Sequence, residues 1–507
     1  METTRSDDLK KSSAALELPL PTSSTVSSDP PSSLSLLQRI GKWEDKFGVE
    51  ERGIERVPPE ARTAASFFDI IQIGLTWLSI NLVASNSVVG ILGPQAFHLS
   101  FKDSALVCLF ANIAGALGPA YIAGFGPKSG NRTLVLLRFV FGWWPAKFCA
   151  ILQLIGTLGY GLLTALITGQ ILSAVADGRM TVIVGIIITS VVVLLVCIVG
   201  MKVFHVYERY SIIPSLIVFF ILAGVAGPNF DLTTPSAGTP EEIRGNRVSF
   251  FFVVFNTSFI WAMCAADYFV YYPEQTSRVV VGSMTHLGLF LGLLFSELIG
   301  AGLAAGAVTK ASWKAALASG PGGLMVEAFV PLGGFGKFCA VIFALGPVSN
   351  VIPGVYSSAM AWQVLSRGCE KVPRTVWTIF GIIVYTVCAI AGRNKIFSIF
   401  ENFLPLMGYW VAMWCVIQLE DEVFFHGGRN PYKWDYWNEP GRIPLGIAAT
   451  TAFLIGWAGA ILSMYQAWWE GPIASKALAD LGVPVSAGLV AILYPPLRWL
   501  ELKWFER

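Results

Sequence analysis

The sequence predicts an all-α integral membrane protein with 12 transmembrane helices. Of its 507 residues, 54% are hydrophobic and only 13% are charged, whereas about 25% are charged in a typical soluble domain. Several apolar windows exceed the roughly 18 residues that a helix needs to cross a bilayer. The short alternating segments of about 10 residues that are typical of a transmembrane β-barrel do not occur.

The chain is predicted to fall into three parts. Residues 1–60 are rich in Ser, Pro and charged residues, so they bury too little apolar surface to fold alone and are predicted to form a disordered cytoplasmic tail. They have no compact apolar segment like that of a signal peptide. Residues 61–500 form the predicted twelve-span membrane domain, and residues 501–507 form a short cytoplasmic tail.

Twelve apolar spans are predicted in order along this domain. They cover approximately residues 67–96, 104–124, 146–173, 180–200, 210–228, 249–271, 281–306, 335–361, 374–391, 397–419, 443–465 and 482–499. An even number of spans places both termini on one side of the membrane. The connections after even-numbered spans are basic, as at Lys128, Arg132 and Arg138, and the positive-inside rule therefore predicts that both termini are cytoplasmic.

Spans 1 and 6 carry polar residues within their apolar runs. Span 1 contains Ser85-Asn86-Ser87 followed by Gly93-Pro94, and span 6 contains Asn256-Thr257-Ser258. Polar groups and helix breakers at membrane depth are tolerated where they line a cavity, so an unwound middle is predicted at these two triplets. Interrupted helices at matched positions of two halves point to a transporter's midplane site. The spacing predicts that spans 1–5 and spans 6–10 are two structural repeats.

Four polar residues are candidates for contacting a ligand at such a site. Ser85, Asn86 and Asn256 belong to the interrupted segments, and Asn350 lies in span 8 close to Pro353. An Asn offers both a donor and an acceptor, which suits a heterocycle with mixed polar edges. The alternatives are helix–helix packing for the small polar residues and, for Asn350, a hydrogen bond to freed backbone.

Three aromatic residues near these positions are candidates for stacking on a planar ring. Phe259 and Trp261 follow Asn256 directly, and Tyr160 lies in span 3. An aromatic face is a good partner for a flat π system. Ordinary packing is the alternative, because the chain contains 17 Trp and 34 Phe.

Two acids stand out in the apolar spans. Glu297 lies within span 7, and an ionisable residue at that depth is a functional candidate by default. It is predicted either to carry a proton or to act as a structural acid paired across the bundle. Asp267 ends the polar stretch of span 6 and is predicted to serve as an anchor or gate near the cytoplasmic end.

Several function classes are excluded by the pattern of reactive residues. The eight Cys have no CxxC spacing and the four His are dispersed, so neither a metal site nor a disulfide is predicted. No phosphate-cradling loop and no catalytic dyad occur, and no cofactor is expected. The chain is therefore predicted not to be an enzyme. A net charge of +2 indicates no nucleic-acid partner, and membrane lipid is the expected surrounding.

Four segments carry a resemblance to a known family. They are Gly48–Pro58 before span 1, Phe125–Arg132 before span 3, Asp267–Pro273 after the polar stretch of span 6, and Asn430–Asn438 after span 10. With these segments, residues 45–500 resemble the fungal purine–cytosine permeases of the nucleobase–cation symporter family.

The resemblance implies a fold, an activity and a site. The first ten of twelve helices are expected to form two inverted five-helix repeats, with discontinuous helices 1 and 6. The expected activity is proton-driven uptake of cytosine, adenine, guanine and hypoxanthine at the plasma membrane. The substrate is expected between spans 1, 3, 6 and 8, at Ser85 and its neighbours, residues 159–164, Phe259 to Trp261, and Asn350 with Pro353-Gly354.

The chain departs from the family's bacterial, sodium-coupled relatives in two spans. Those relatives have a Trp and a Gln in span 3, where this chain reads Gly159-Tyr160-Gly161-Leu162-Leu163. They also have hydroxyls in span 8 near the ion, where Val348 and Ser349 stand here. A lost oxygen ligand weakens a site for a hard cation, which favours proton coupling.

Alternatives to this hypothesis remain open at the level of the sequence. One is a related permease for uracil, allantoin or another heterocycle such as a pyridoxine-like ring. Another is an amino-acid transporter of the same architecture, which would need exposed backbone amides at the helix breaks for a carboxylate. A receptor that binds without transporting, or a membrane-embedded enzyme, would belong to a different class.

Overall fold

The computed structural model describes residues 53–62, 66–199, 201–427 and 431–506. Most of the predicted tail of residues 1–60, and part of the Asn430–Asn438 segment, therefore lie outside the described residues.

The first half of the chain is helical from residue 67 onward. Its helices are α1 (Phe67–Asn81), α2 (Ala84–Gln95), α3 (Phe101–Gly115), α4 (Leu117–Ala123), α5 (Phe125–Ser129), α6 (Thr133–Phe141), α7 (Pro145–Val175), α8 (Val182–Val199) and α9 (Met201–Ala226), with 3₁₀ turns at Pro59–Ala61 and Gly227–Asn229.

The second half of the chain is also mainly helical. Its helices are α10 (Pro240–Phe259), α11 (Arg278–Thr309), α12 (Ala311–Ala318), α13 (Pro321–Phe329), α14 (Gly333–Leu345), α15 (Pro347–Leu365), α16 (Arg367–Glu370), α17 (Arg374–Gly392), α18 (Ile396–Glu420), α19 (Ile447–Ser463), α20 (Pro472–Ala477) and α21 (Gly482–Phe505). Shorter elements are 3₁₀ turns at Ile260–Met263, Ala265–Tyr268, Val330–Leu332 and Trp434–Asn438, and a π-helical turn at Asp421–Phe425. Strands β1 (Tyr465–Gln466) and β2 (Trp469–Glu470) form a small antiparallel hairpin in which Tyr465 faces Glu470.

Capping residues fix where several helices begin. Ser66 starts α1, where its hydroxyl accepts from the Asp69 amide and the Asp69 carboxylate accepts from the Ser66 amide. Thr239 and Glu242 form the same reciprocal box at the start of α10, with Pro240 in the first turn. Such boxes satisfy amides that have no partner inside the helix.

Each of the twelve predicted spans contains helix, but not every helix meets a spanning criterion. Within the described residues, eight helical stretches are long and apolar enough to cross a membrane, or nine if the bent pair in span 1 counts as one. Spans 4 and 11 are shorter apolar helices, and the α-helix of span 6 ends at Phe259. The number of 12 crossings therefore stays a prediction.

Helix 1 is discontinuous, but its break lies before the predicted triplet. The two halves of span 1 meet at an angle of 58°, and the residues between them are Leu82 and Val83, of which Val83 is extended. Ser85, Asn86 and Ser87 stand in the first turn of α2, not in unwound chain. The break is bridged by the Asn86 side-chain amide, which donates to the carbonyl of Asn81 over 2.9 Å.

Helix 6 is also discontinuous, and here the break follows the predicted triplet. Asn256, Thr257 and Ser258 form the last turn of α10, after which the chain continues as two 3₁₀ turns. The hydroxyls of Thr257 and Ser258 donate to carbonyls of their own helix, at Val253 and Phe255. This back-bonding satisfies the hydroxyls locally, so the unwinding begins at Ile260.

Spans 1, 2, 6 and 7 pack together as one group, and spans 3 and 8 pack against each other as part of a second. We call spans 1, 2, 6 and 7 the bundle and the group containing spans 3 and 8 the scaffold. Contact between α2 and α11 is especially close, because a Cβ on Gly300 would come within 1.8 Å of the Ser87 carbonyl oxygen. The site described below lies where the bundle meets the scaffold.

The described end of the predicted tail is attached to the connection between spans 2 and 3. The amide of Val57 donates to the carbonyl of Gly130 over 2.9 Å, and the Arg56 guanidinium donates to the carbonyl of Ser129. Gly130 has φ of +66°, and a Cβ there would lie 2.3 Å from the Val57 carbonyl oxygen. Glycine is therefore required at this contact.

Candidate functional site

A narrow cavity lies at the junction of α7, the 3₁₀ turn after α10, and α15. Its lining residues are Thr157, Tyr160, Gly161, Ile260, Trp261, Met263, Cys264, Asn350, Val351 and Gly354. The volume of about 20 Å³ suffices for about one water, whereas small-molecule sites usually measure about 300–1,000 Å³. A planar ring can therefore enter only if the bundle and the scaffold move apart.

The cavity brings together three of the residues predicted from the sequence. Tyr160 comes from span 3, Trp261 from the break in span 6 and Asn350 from span 8. They are separated by about 90 to 190 positions in the chain, and only the crossing of the three spans brings them together. An indole, a phenol and an amide around one small space offer ring contact and a few directed hydrogen bonds.

The orientation of Trp261 is set by an aromatic cluster that sequence inspection missed. Trp77 of α1 meets the Trp261 ring edge to face, with centroids 5.5 Å apart, and meets the Tyr268 ring in the same way at 5.6 Å. Trp77 is itself buried. Nothing in the sequence distinguishes Trp77 from the chain's other tryptophans, because its role depends on the packing of α1 against the broken part of span 6.

Phe259 points away from the cavity. Its ring stacks on Phe255 with centroids 4.7 Å apart and an interplanar angle of 20°. The ring also covers Gly118 of α4, where a Cβ would come within 2.5 Å of it. Of the two neighbouring aromatics considered as stacking partners, Trp261 lines the cavity, and Phe259 packs span 6 against span 2.

Asn350 has a structural partner as well as a place in the cavity wall. Its side-chain amide donates to the Ile80 carbonyl over 2.9 Å, and that carbonyl lies beside the break in span 1. The hydroxyl of the preceding Ser349 donates to the Gly346 carbonyl at 2.8 Å and reaches the Ser79 carbonyl at 3.4 Å. Span 8 is thus tied to the end of α1. Pro353 is buried within α15 and does not line the cavity.

Ser85, Asn86 and Asn256 do not line the cavity in this conformation. Ser85 is buried, and its hydroxyl has no hydrogen-bond partner among the described residues. Asn256 is fully buried against Gly408 of α18, and neither atom of its amide has a partner in the described part of the chain. Asn86 caps the break, as described above.

Glu297 lies inside the bundle, apart from the cavity. It is 0% exposed, and one carboxyl oxygen accepts from the side-chain amide of Asn112 on α3. The other oxygen has no partner among the described residues. The structure therefore places this acid between spans 2 and 7, beside the amide of Asn112 and the thiol of Cys108.

Asp267 joins the bundle to the scaffold. Its carboxylate accepts from the Thr133 amide at the start of α6 and from the Ser357 hydroxyl on α15, each over 2.7 Å. Its carbonyl accepts from the Arg132 guanidinium, and the Ala266 amide donates to the Thr133 hydroxyl. This contact lies on the side of the cavity that faces α6, which we call the α6 side.

Several lining residues were not anticipated from the sequence. Thr157, Met263, Cys264 and Val351 line the cavity but were not among the residues expected at the site, whereas Ile260 lies within the expected range Phe259 to Trp261. For Thr157 a signal existed, because Gln153, Gly156, Thr157 and Tyr160 follow the i, i+3, i+4, i+7 spacing of one helix face. Among the described residues, no group of His, Cys, Asp and Glu is arranged to hold a metal ion.

The sequence matches a family of known membrane transporters. Over residues 56–471 it matches the family described as "Permease for cytosine/purines, uracil, thiamine, allantoin". It is 37% identical to the purine-cytosine permease fcyB of Emericella nidulans, over 93% of this chain and 93% of that protein. It is 32% identical to the vitamin B6 transporter TPN1 of Saccharomyces cerevisiae, over 94% of this chain and 93% of that protein.

The fold is similar to that of a solved transporter. Mhp1, a nucleobase-cation-symport-1 family transporter in a closed conformation with bromovinylhydantoin bound, aligns with a TM-score of 0.64 over 90% of this chain and 96% of that one. At 12% identity the likeness shows the fold alone. The predicted all-α membrane transporter fold is thereby confirmed.

Proposed function

The chain belongs to the family of permeases for cytosine/purines, uracil, thiamine and allantoin, and from this membership we propose that it imports cytosine and purines by proton symport. It is a transporter, not an enzyme. The proposed substrates are cytosine, adenine, guanine and hypoxanthine, and the proposed location is the plasma membrane with both termini in the cytoplasm.

The observation that carries this proposal is the meeting of Trp261, Tyr160 and Asn350 around one cavity. The Trp261 face would stack on the ring, because flat π systems attract one another through offset or edge contacts. The Tyr160 hydroxyl is buried and has no partner among the described residues, so it is available to a polar ring edge. The Asn350 carbonyl oxygen would accept from a ring N–H or amino group.

Alternating access is the proposed mechanism. The bundle would rock against the scaffold, opening the cavity to one side of the membrane and then to the other. Several hydrogen bonds cross this junction, among them those donated by the Asn350 amide to the Ile80 carbonyl and by the Ser357 hydroxyl to the Asp267 carboxylate. Asp267 would act as the gate on the α6 side, which is the cytoplasmic side in the proposed topology.

Glu297 is the proposed proton carrier. At membrane depth a buried carboxyl group beside an amide and a thiol costs less when it is neutral than when it is charged. Sodium coupling is less well supported, because the Asn350 amide donates to the freed carbonyl of Ile80, and the Ser349 hydroxyl, which donates to Gly346, lies 3.4 Å from that of Ser79. A cation would need those oxygens as ligands.

A second candidate substrate class is a pyridine ring of the vitamin B6 type. Two observations favour it: the relative named a vitamin B6 transporter is 32% identical over 94% of this chain, and span 3 has Tyr160 and Gly161 in the cavity wall, not a Trp and a Gln. A cavity wall with few polar groups is suited to a ring that has fewer adjacent N–H and C=O groups than a nucleobase.

The deciding experiment is uptake of radiolabelled compounds in a host that lacks its own permeases. The panel contains cytosine, adenine, guanine, hypoxanthine, uracil, allantoin and pyridoxine, with pH and sodium varied. We expect cytosine and purine uptake that rises as the outside is acidified and does not depend on sodium. Uptake of pyridoxine alone would replace the first candidate with the second, and sodium dependence would contradict proton coupling.

The same assay tests Glu297. The Glu297→Gln variant keeps the size and hydrogen-bonding capacity of the side chain but cannot be protonated, so its residual uptake is expected to lose the rise at acid pH. Glu439→Gln, at an exposed acid paired with Arg442, serves as the control and should keep the wild-type pH profile. An unchanged profile in Glu297→Gln would remove this residue from the proton pathway.

A further inference from the structure

Gln153 of α7 is a fully buried amide with no partner in the described part of the chain. Its side chain is 0% exposed, and neither the oxygen nor the nitrogen of the amide is hydrogen-bonded there. A buried polar group without a partner costs about 1–3 kcal/mol, and at membrane depth such groups usually face a partner or a pathway. The face of α7 on which Gln153 lies distinguishes a partner from a pathway.

Gln153 lies on the helix face that forms the cavity wall. At 100° per residue, Thr157 and Tyr160 are turned by only about 40° and about 20° from the direction of Gln153. Both of these residues line the cavity. Gly156, on the same face, lies against the Met263 sulfur, which a Cβ there would approach to 3.1 Å. Gln153 therefore lies on the face of α7 that Gly156, Thr157 and Tyr160 share, which packs against the broken part of span 6.

Gln153 is one helical turn from the cavity, on the α6 side. It precedes Thr157 by four residues, or about 6 Å along the helix axis. Helix α7 begins at Pro145, shortly after α6 ends at Phe141. The N-terminal part of α7 is therefore the part near α6, and Gln153 stands between that end and the cavity.

Other polar groups also lie on the α6 side of the cavity. The Tyr268 hydroxyl lies 3.5 Å from the Ser357 hydroxyl, which donates to the Asp267 carboxylate over 2.7 Å. Tyr268 follows the cavity residue Cys264 by four positions, and Ser357 follows Gly354 by three. A series of polar groups thus leads from the cavity to the gate at Asp267, with the Gln153 amide on the face of α7 turned toward this part of span 6.

We propose that Gln153, Tyr268 and Ser357 form a second substrate subsite on the α6 side of the cavity, occupied during release. The ligand is the planar heterocycle of the proposed function, on which this inference rests. A Gln amide offers two donors and an acceptor, which match the adjacent N–H and C=O groups of a nucleobase edge. Ser357 also holds Asp267, so a ring hydrogen-bonded to this hydroxyl would weaken the closed gate as it leaves.

The test separates binding in the cavity from release. Gln153→Leu removes the amide at similar volume. Gln170→Leu is the matched control, since Gln170 is a buried amide of the same helix whose oxygen accepts from the Gly322 amide, far from the cavity. The full-length variants are purified for equilibrium binding and thermal unfolding, and reconstituted in liposomes for initial uptake rates, with radiolabelled cytosine and radiolabelled pyridoxine as parallel probes.

A release subsite predicts a specific split between these readouts. In Gln153→Leu, equilibrium binding of the transported probe should stay within about twofold while the maximal uptake rate falls about 3- to 10-fold, the effect of losing about one hydrogen bond. Its midpoint of thermal unfolding should equal or exceed that of the wild type, because an unpartnered polar group has been removed. Gln170→Leu should keep its uptake rate within about twofold.

Other outcomes overturn the inference. A wild-type uptake rate in Gln153→Leu shows that the amide takes no part in release. Loss of equilibrium binding as large as that in Trp261→Ala places Gln153 in the primary cavity instead, and equal losses of rate and thermal stability in both Gln variants indicate a packing role. If the wild type neither binds nor transports either probe, the proposed function fails and this inference fails with it.

Discussion

Asn350 contacts both the cavity and the broken part of span 1. The residue lines the cavity, and its side-chain amide also holds the Ile80 carbonyl beside the break in span 1. The amide nitrogen has a second N–H, so a substrate can bond to Asn350 while the bond to Ile80 remains. Only a shift of the side chain toward the ring would loosen the contact between scaffold and bundle. Occupancy of the cavity would in this way be linked to movement of span 1.

The contribution of Asn350 to uptake can be measured by substitution. Asn350→Ala is expected to lower cytosine uptake at least about tenfold, which corresponds to about 1.4 kcal/mol, because a ring contact and the tie to Ile80 are both lost. The variant should still reach the membrane, as judged by fluorescence of a fused reporter. Normal uptake by Asn350→Ala would remove this residue from the site.

The second prediction separates the two neighbouring aromatics of span 6. Trp261→Ala should raise the KM for uptake by about 10- to 30-fold, since stacking and the burial of the ring are lost together. Phe259→Leu, whose ring packs on Phe255 and not in the cavity, should leave the KM within about twofold. The reverse ranking of the two KM values would mean that Phe259 is the stacking partner.

At the scale of elements, glycine allows α2 and α11 to lie in direct backbone contact. A Cβ on Gly300 would come within 1.8 Å of the Ser87 carbonyl oxygen, and one on Gly90 within 1.9 Å of the Glu297 carbonyl oxygen. Small residues at such crossings are a usual means of helix association in membranes. The two halves of the bundle are thereby fixed to each other, which suits a group that moves as a unit.

The close contact of α2 and α11 makes Gly300 sensitive to an added methyl group. Gly300→Ala should destabilise the protein by about 1–3 kcal/mol, as overpacking does in a filled core, and lower the midpoint of thermal unfolding. Gly224→Ala in α9 is the control, because its Cβ would meet nothing within 4 Å. A midpoint in Gly300→Ala equal to that of the control would show that α2 and α11 are not held this closely.

In the proposed mechanism, Asp267 closes the α6 side of the cavity. Its carboxylate joins the end of span 6, the start of α6 and the middle of α15. Hydrogen bonds to a charged group contribute about 1.5–3 kcal/mol each. Their loss would favour the state that is open toward α6.

Cys264 lines the cavity, so its labelling by a thiol reagent measures access to the cavity. With the other seven cysteines replaced by Ala, Asp267→Ala should raise the rate at which an impermeant thiol reagent labels Cys264 in inside-out vesicles by about tenfold, one hydrogen bond being worth that factor or more. Asp177→Asn, at an exposed ion pair with Lys337, should label at the wild-type rate. An equal rate in Asp267→Ala would mean that this contact does not close the α6 side.

The fold class and the presence of two interrupted spans follow from the apolar and polar pattern along the chain. Long apolar runs leave the backbone no alternative to helices in a membrane, and polar triplets such as Ser85–Ser87 and Asn256–Ser258 mark the neighbourhood of a break. The positions of the breaks were missed by a few residues, because Asn86 caps the gap it was expected to occupy and Thr257 and Ser258 bond back to their own helix.

Which side chains share the cavity depends on how the spans cross one another. Phe259 and Trp261 are two residues apart and look equivalent in sequence, yet the turn after α10 directs one toward Phe255 and the other toward Trp77 and the cavity. Asn350 likewise met a backbone carbonyl from span 1 that no local pattern indicates. Hydropathy and polar patterning act along the chain and fix the spans, whereas the direction of a side chain depends on which helices cross it, and that is a property of the packed molecule.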